Sequence, residues 1–92
     1  MYTTSRYASG ETRGFARRLA TRNRETYVAR GKKTIAELAA MARECGQESV
    51  IVVEERGGKP AILSKISVDE LGRWKWAEES GVGAKRPGGD GR

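Results

Sequence analysis

The segment Gly31-Lys32-Lys33-Thr34 falls between a predicted strand over residues 25–29 and a predicted helix opening after Thr34, the setting in which a chain grips phosphate. Its spacing excludes a nucleotide-hydrolase loop. That loop needs a glycine five positions before Gly31, where Thr26 stands, and a Ser or Thr directly after its lysine, where Lys33 stands. Glu54 and Glu55 are the other pair that could do chemistry, as metal-holding carboxylates. Two adjacent acids at a strand end read instead as solvated or salt-bridged groups. The chain has no His, which removes every imidazole base, His-oriented nucleophile and His-containing metal site from a single copy. The lone Cys45 can form neither an internal disulfide nor a Cys-rich zinc site, and it reads as a small buried hydrophobe in a reducing compartment. The residues therefore point to binding without catalysis, and to no metal and no cofactor.

What the chain would bind follows from its charge. Residues 1–33 carry nine Lys or Arg against Glu11 and Glu25, a local charge of +7 in a molecule of net +6, while the remaining residues are nearly neutral. Seven of those nine are Arg, whose planar fork suits phosphate better than the point charge of Lys. Clustering of this kind marks a polyanion-binding face; the competing reading is a solvated basic surface. No stretch approaches 18 consecutive apolar residues, and the start lacks a basic-then-apolar leader pattern, so a cytoplasmic protein without a membrane partner is expected.

The elements that must position these residues are readable from periodicity. Residues 2–5 are β-prone, and Ser9-Gly10 introduces a helix over about residues 11–22, with Phe15, Ala16, Leu19 and Ala20 as its apolar stripe. Arg13 and Arg17, like Arg18 and Arg22, stand four apart on that helix, a like-charge spacing that costs stability unless the row meets an anion. Residues 25–29 read as a second strand. Thr34 with Glu37 forms a capping-box pattern, Ile35, Leu38, Ala39, Met41, Ala42 and Cys45 supply a buried face, and Gly46 supplies the C-terminal stop. The run Val50–Val53 reads as a central strand, residues 61–68 and 73–77 as two further strands about a turn at 69–72, with Trp74 and Trp76 on one face as core or interface cover rather than a base-stacking platform. Residues 80–92 are Gly-rich and read as a flexible basic tail, which bounds one folded domain at residues 1–79 with a modest core.

This order gives a small α/β fold, a single sheet with two helices arranged β-α-β-α-β and then a hairpin, its first three strands parallel. The loops leaving those strands then share one edge, where each helix begins with free amides. Thr4-Ser5-Arg6 enters the first helix and Arg30-Gly31-Lys32-Lys33-Thr34 the second, so two helix starts with basic side chains predict an edge that takes successive phosphates.

The string Thr3-Thr4-Ser5-Arg6, then Ser9, Thr12, Arg13, Phe15, Ala16 and Leu19, then Tyr27, Val28 and Arg30-Gly31-Lys32, then the Val50–Val53 run, resembles the first half of a Brix domain, most closely the short archaeal-type members. The resemblance spans about residues 2–78. It implies a ribosome-biogenesis protein that binds ribosomal RNA or its precursor without catalysis, with ribosomal proteins or other assembly factors as further partners. It also implies a fold similar to the anticodon-binding domain of class II aminoacyl-tRNA synthetases. A full Brix domain is about twice this length, and its usual Gly-Pro-Thr turn is replaced here by Asp69-Glu70-Leu71-Gly72. The carried-over positions are Thr4, Ser5, Arg6, Thr12 and Arg13 at the first loop and helix start and Arg30, Gly31 and Lys32 at the second. Arg17 and Lys33 join Arg6, Arg13, Arg30, Gly31 and Lys32 as RNA-contact candidates, while Thr4, Ser5 and Thr12 are either contacts or structural. The alternative function is a protein-interaction module, a homodimer or half of a pair, with Trp74 and Trp76 at the interface.

Overall fold

The computed structural model describes residues 1–82. Its elements are β1 (Tyr2–Thr4), α1 (Gly10–Arg22), α2 (Ile35–Glu44), β2 (Ser49–Arg56), β3 (Lys59–Val68) and β4 (Trp74–Gly81). They form one mixed sheet in the order β1-β2-β3-β4, with β1 parallel to β2 and the other neighbours antiparallel.

Local chemistry sets most of the boundaries. Ser9 caps α1 by accepting the Thr12 amide on its hydroxyl. At α2 the capping box is complete, since the Glu37 amide donates to Thr34 Oγ1 at 3.1 Å and the Thr34 amide to Glu37 Oε1 at 2.8 Å. The helix stops at Gly46, φ +73°, where the Gln47 amide reaches Ala42 O and the Gly46 amide reaches Arg43 O, the two bonds of a Schellman ending. Arg56 pairs with Lys59 across Gly57-Gly58, both at positive φ, as a tight right-twisting hairpin requires.

Strand alternation divides the core between two faces. Ala39 and Ala42 of α2 pack against Val50, Val52, Ile66 and Val68 together with Met1. Leu63 has the opposite parity to Ile66 and lies beside Phe15, Leu19 and Arg22, which puts α1 on the other face, where Thr12, Ala16 and Ala20 are buried. The sheet is thus sandwiched between the helices, and small buried residues let both lie close to it.

Four sequence expectations are corrected. The predicted strand over residues 25–29 is reduced to one parallel bridge, Tyr2 with Tyr27, held by the Tyr2 amide on Thr26 O and the Val28 amide on Tyr2 O, each 2.8 Å. The outer edge of β1 ends too soon to carry more, because β1 is three residues long. Cys45 is exposed rather than buried, because it is the C-cap residue where the backbone has already left the helical path. Trp74 and Trp76 are not core. They face the α2 side level with Val68 and Ile66 but on β4, one strand beyond the two that α2 packs against, and stand 39% and 52% exposed. Finally, Ser80 and Gly81 belong to β4, paired with Leu63 and Ile62, and the rest of the segment read as a tail, residues 83–92, lies outside the described residues.

Candidate nucleic-acid interface

Where β1 ends, the two basic loops meet. The Ser5 amide donates to Val53 O, closing the strand, and the Arg6 guanidinium reaches across to Lys32 O at 3.1 Å. Arg30 returns the contact from the other loop, donating from Nη1 to Thr4 O at 2.9 Å and from Nε to Lys33 O at 2.7 Å. Gly31 turns the loop with φ +51°, and Lys33 Nζ closes it on Ala29 O. The half-buried Arg30 has its pKa lowered, first by desolvation and then by the neighbouring Arg6 cation. Lys32 is exposed and its ammonium makes no hydrogen bond among the described residues. Glu37 lies near enough to feel Arg6 and Lys33, but its pKa is lowered mainly by the hydrogen bonds from Thr34 that commit it to the helix cap.

The start of α1 is built differently from the sequence expectation. Two of its amides, those of Ser9 and Thr12, are taken up within the chain, the first by a carboxylate. Glu55, at the far end of β2, accepts from the Ser9 amide at 3.0 Å and from the Thr12 hydroxyl at 2.6 Å, and these bonds lower its pKa, those from Thr12 first. The Ser9 hydroxyl donates to Gly58 O at 2.7 Å, tying the β2–β3 hairpin to the same point. Alternation puts Glu55 on the α1 face and Glu54 on the α2 face, where it accepts from the Ser64 hydroxyl. Thr12 and Thr4 are fully buried, with Thr4 Oγ1 donating to Ser5 O, so both hydroxyls are spent inside the fold. At the α2 start the capping box likewise takes up the Thr34 and Glu37 amides. The side chains of the two loops add their cations to this edge.

Arg13 and Arg17 also have internal contacts. Arg13 Nη1 donates to Ala8 O at 2.9 Å, and the Arg17 guanidinium lies 5.2 Å from the centre of the Tyr27 ring. Neither contact neutralises charge. Among the described residues the ion pairs are Met1 amino with Glu25 and Arg73 with Asp69, so Arg6, Arg13, Arg17, Arg30, Lys32 and Lys33 are left without a carboxylate partner. Trp74 and Trp76 form an edge-to-face pair at 6.3 Å on β4, three strands and about 14 Å across the sheet from β1, and are not brought to the basic loops. Sequence reasoning missed Glu55 as an anchor, since its partners are more than 40 residues away, and passed over Tyr7, which stands 89% exposed beside Arg6. Among the described residues there is no cluster of three or more acidic or thiol groups that could hold a metal ion, and no helix long and apolar enough to cross a membrane.

Comparison with known proteins places this architecture. No family model matches the chain, and no curated protein matches it. Among solved structures it is similar to Mil, an archaeal Imp4-like protein, with 37% identity and a TM-score of 0.66 over 79% of this chain and 45% of that one. It is also similar to a probable ribosomal biogenesis protein from Aeropyrum pernix K1, with 29% identity and a TM-score of 0.80 over 90% of this chain and 47% of that one. In sequence and fold the chain is Brix-like, and it spans about half the length of the two Brix-like proteins that it matches.

Proposed function

We propose that the chain is a ribosome-biogenesis factor of the cytoplasm that binds ribosomal RNA or its precursor without catalysing a reaction. The observation that carries this reading is the cluster of cations where the two loops meet, braced through backbone carbonyls and making no ion pair among the described residues. Arg6, Arg30, Lys32 and Lys33 form its centre, with Gly31 shaping the loop and Arg13 and Arg17 extending it along α1. Thr4, Ser5 and Thr12 hold the frame beneath. Phosphates spaced along a chain suit such an array better than one small anion does. The names of the similar proteins support ribosome biogenesis as the setting, with ribosomal proteins or other assembly factors as further partners.

The test is a titration against ribosomal RNA fragments, transfer RNA and a DNA duplex at two salt concentrations. With about six phosphates engaged, affinity falls on the order of several hundredfold to a thousandfold between about 50 and 200 mM salt, and a preference for ribosomal RNA survives. Equal binding to all three, erased by salt, would leave only a basic surface.

A second reading is favoured by a separate observation. The exposed Trp74 and Trp76 stand on β4, an edge strand among the described residues, which suits a module that pairs with a second copy or another chain. Both readings hold together if pairing rebuilds a longer RNA surface.

A further inference from the structure

The chain has three tyrosines, and the structure uses two of them internally. The Tyr2 hydroxyl accepts from Asn23, and the Tyr27 ring lies under Arg17. Tyr7 is different. It is 89% exposed, the highest value among the exposed large apolar side chains, and its ring makes no hydrogen bond or ring contact among the described residues. Its backbone sits at φ +59°, a left-handed conformation that a bulky L-residue seldom takes. Both neighbours are fixed: Arg6 is bonded to Lys32 O, while Ala8 is buried and its carbonyl accepts from Arg13. The loop therefore holds the ring outward against an unfavourable backbone state, next to cations that make no ion pair among the described residues. A ring displayed there is matched by a ligand that offers a π-face and negative charge together. An unpaired nucleotide offers both, whereas a duplex keeps its bases stacked and presents only phosphate to such a ring. The free cations favour this over an apolar protein surface.

We propose that Tyr7 is a stacking residue for an unpaired nucleobase, so that the RNA gripped at this edge is single-stranded or looped. The proposal rests on the RNA-binding reading above and specifies the RNA class. Two variants of the full chain test it. Tyr7→Asn removes the ring with a residue that tolerates positive φ, and Tyr7→Phe keeps the ring. The probes are an unstructured RNA strand carrying one 2-aminopurine, and the duplex of that strand with its complement.

Tyr7→Asn is expected to weaken single-strand binding roughly 5- to 100-fold, to leave duplex binding and the salt slope unchanged, and to abolish 2-aminopurine quenching, while Tyr7→Phe behaves as wild type. Wild-type strength in Tyr7→Asn, or an equal loss on strand and duplex, or a Tyr7→Phe variant as weak as Tyr7→Asn, would overturn the stacking role. If the wild-type chain binds neither RNA even at low salt, the RNA reading itself fails and the proposal with it. If the wild type binds with steep salt dependence and Tyr7→Asn is indistinguishable from it, stacking alone fails.

Discussion

Arg30 and Lys32 stand two residues apart in one loop, yet the structure holds them in different ways. Arg30 is braced on Thr4 O and Lys33 O, whereas the Lys32 ammonium makes no hydrogen bond among the described residues. Lys32→Ala is expected to weaken RNA binding by about 1 kcal/mol with no change in melting temperature. Arg30→Ala loses the same contact and also two charge-assisted bonds, one to Thr4 O that joins the loops and one to Lys33 O within its own loop, so its thermal melt should fall by several degrees, consistent with about 1–2 kcal/mol. Equal melting of both variants with wild type would show that the brace is unimportant. Sequence reasoning treats the two as equivalent because the carbonyls that distinguish them are set by the meeting of distant segments. The Thr34–Glu37 cap, by contrast, is legible in advance because both partners lie within one turn. Gly31 belongs with the legible residues too, though only the structure gives its positive φ. Since nothing lies within 4 Å of a Cβ added there, Gly31→Ala meets no clash, and its cost of about 1–2 kcal/mol, read by denaturant unfolding, should come from backbone strain alone.

At the scale of elements, the joint between α1 and the β2–β3 hairpin governs acid stability. Hydrogen bonds from Thr12 and Ser9 hold the Glu55 carboxyl below its ordinary pKa, as those from Arg73 and then the Leu71 amide do for Asp69 and the Thr34 cap does for Glu37. A carboxyl with a lowered folded-state pKa stabilises fully above its unfolded value, about 4.3 for Glu, and that contribution is lost as pH falls through the folded value. Glu55→Gln is therefore expected to melt lower than wild type at neutral pH, with the gap narrowing as melts are taken from about pH 6 towards pH 3. A gap that stays constant with pH would show that the carboxylate charge at this joint does not matter. The helices themselves were readable from stripes and caps. The strand at residues 25–29 was not, because its length is limited by a partner of three residues, and no local pattern reports how long a partner will be.

Across the whole molecule, cations gather where β1 ends and aromatic surface gathers on β4, with the width of the sheet between them. If β4 is a pairing edge, light scattering at tens of micromolar will find a dimer, and Trp74→Ser with Trp76→Ser will return it to a monomer while RNA contacts at the other edge persist in weakened form. A strict monomer before and after substitution would set the pairing reading aside. The asymmetric charge was plain in the sequence, but the separation of the two surfaces was not, since it depends on the strand order. That order also bears on how the molecule assembles. Strands β2, β3 and β4 pair through short turns, whereas β1 pairs with β2 across almost 50 residues, Tyr2 facing Ile51. Loop-closure entropy makes that pairing the slow one. The hairpin ribbon is expected to form early and the N-terminal strand to dock late, so the cationic edge comes into being only at the last step of folding. A nascent or partly folded chain would carry the same charges without the grip.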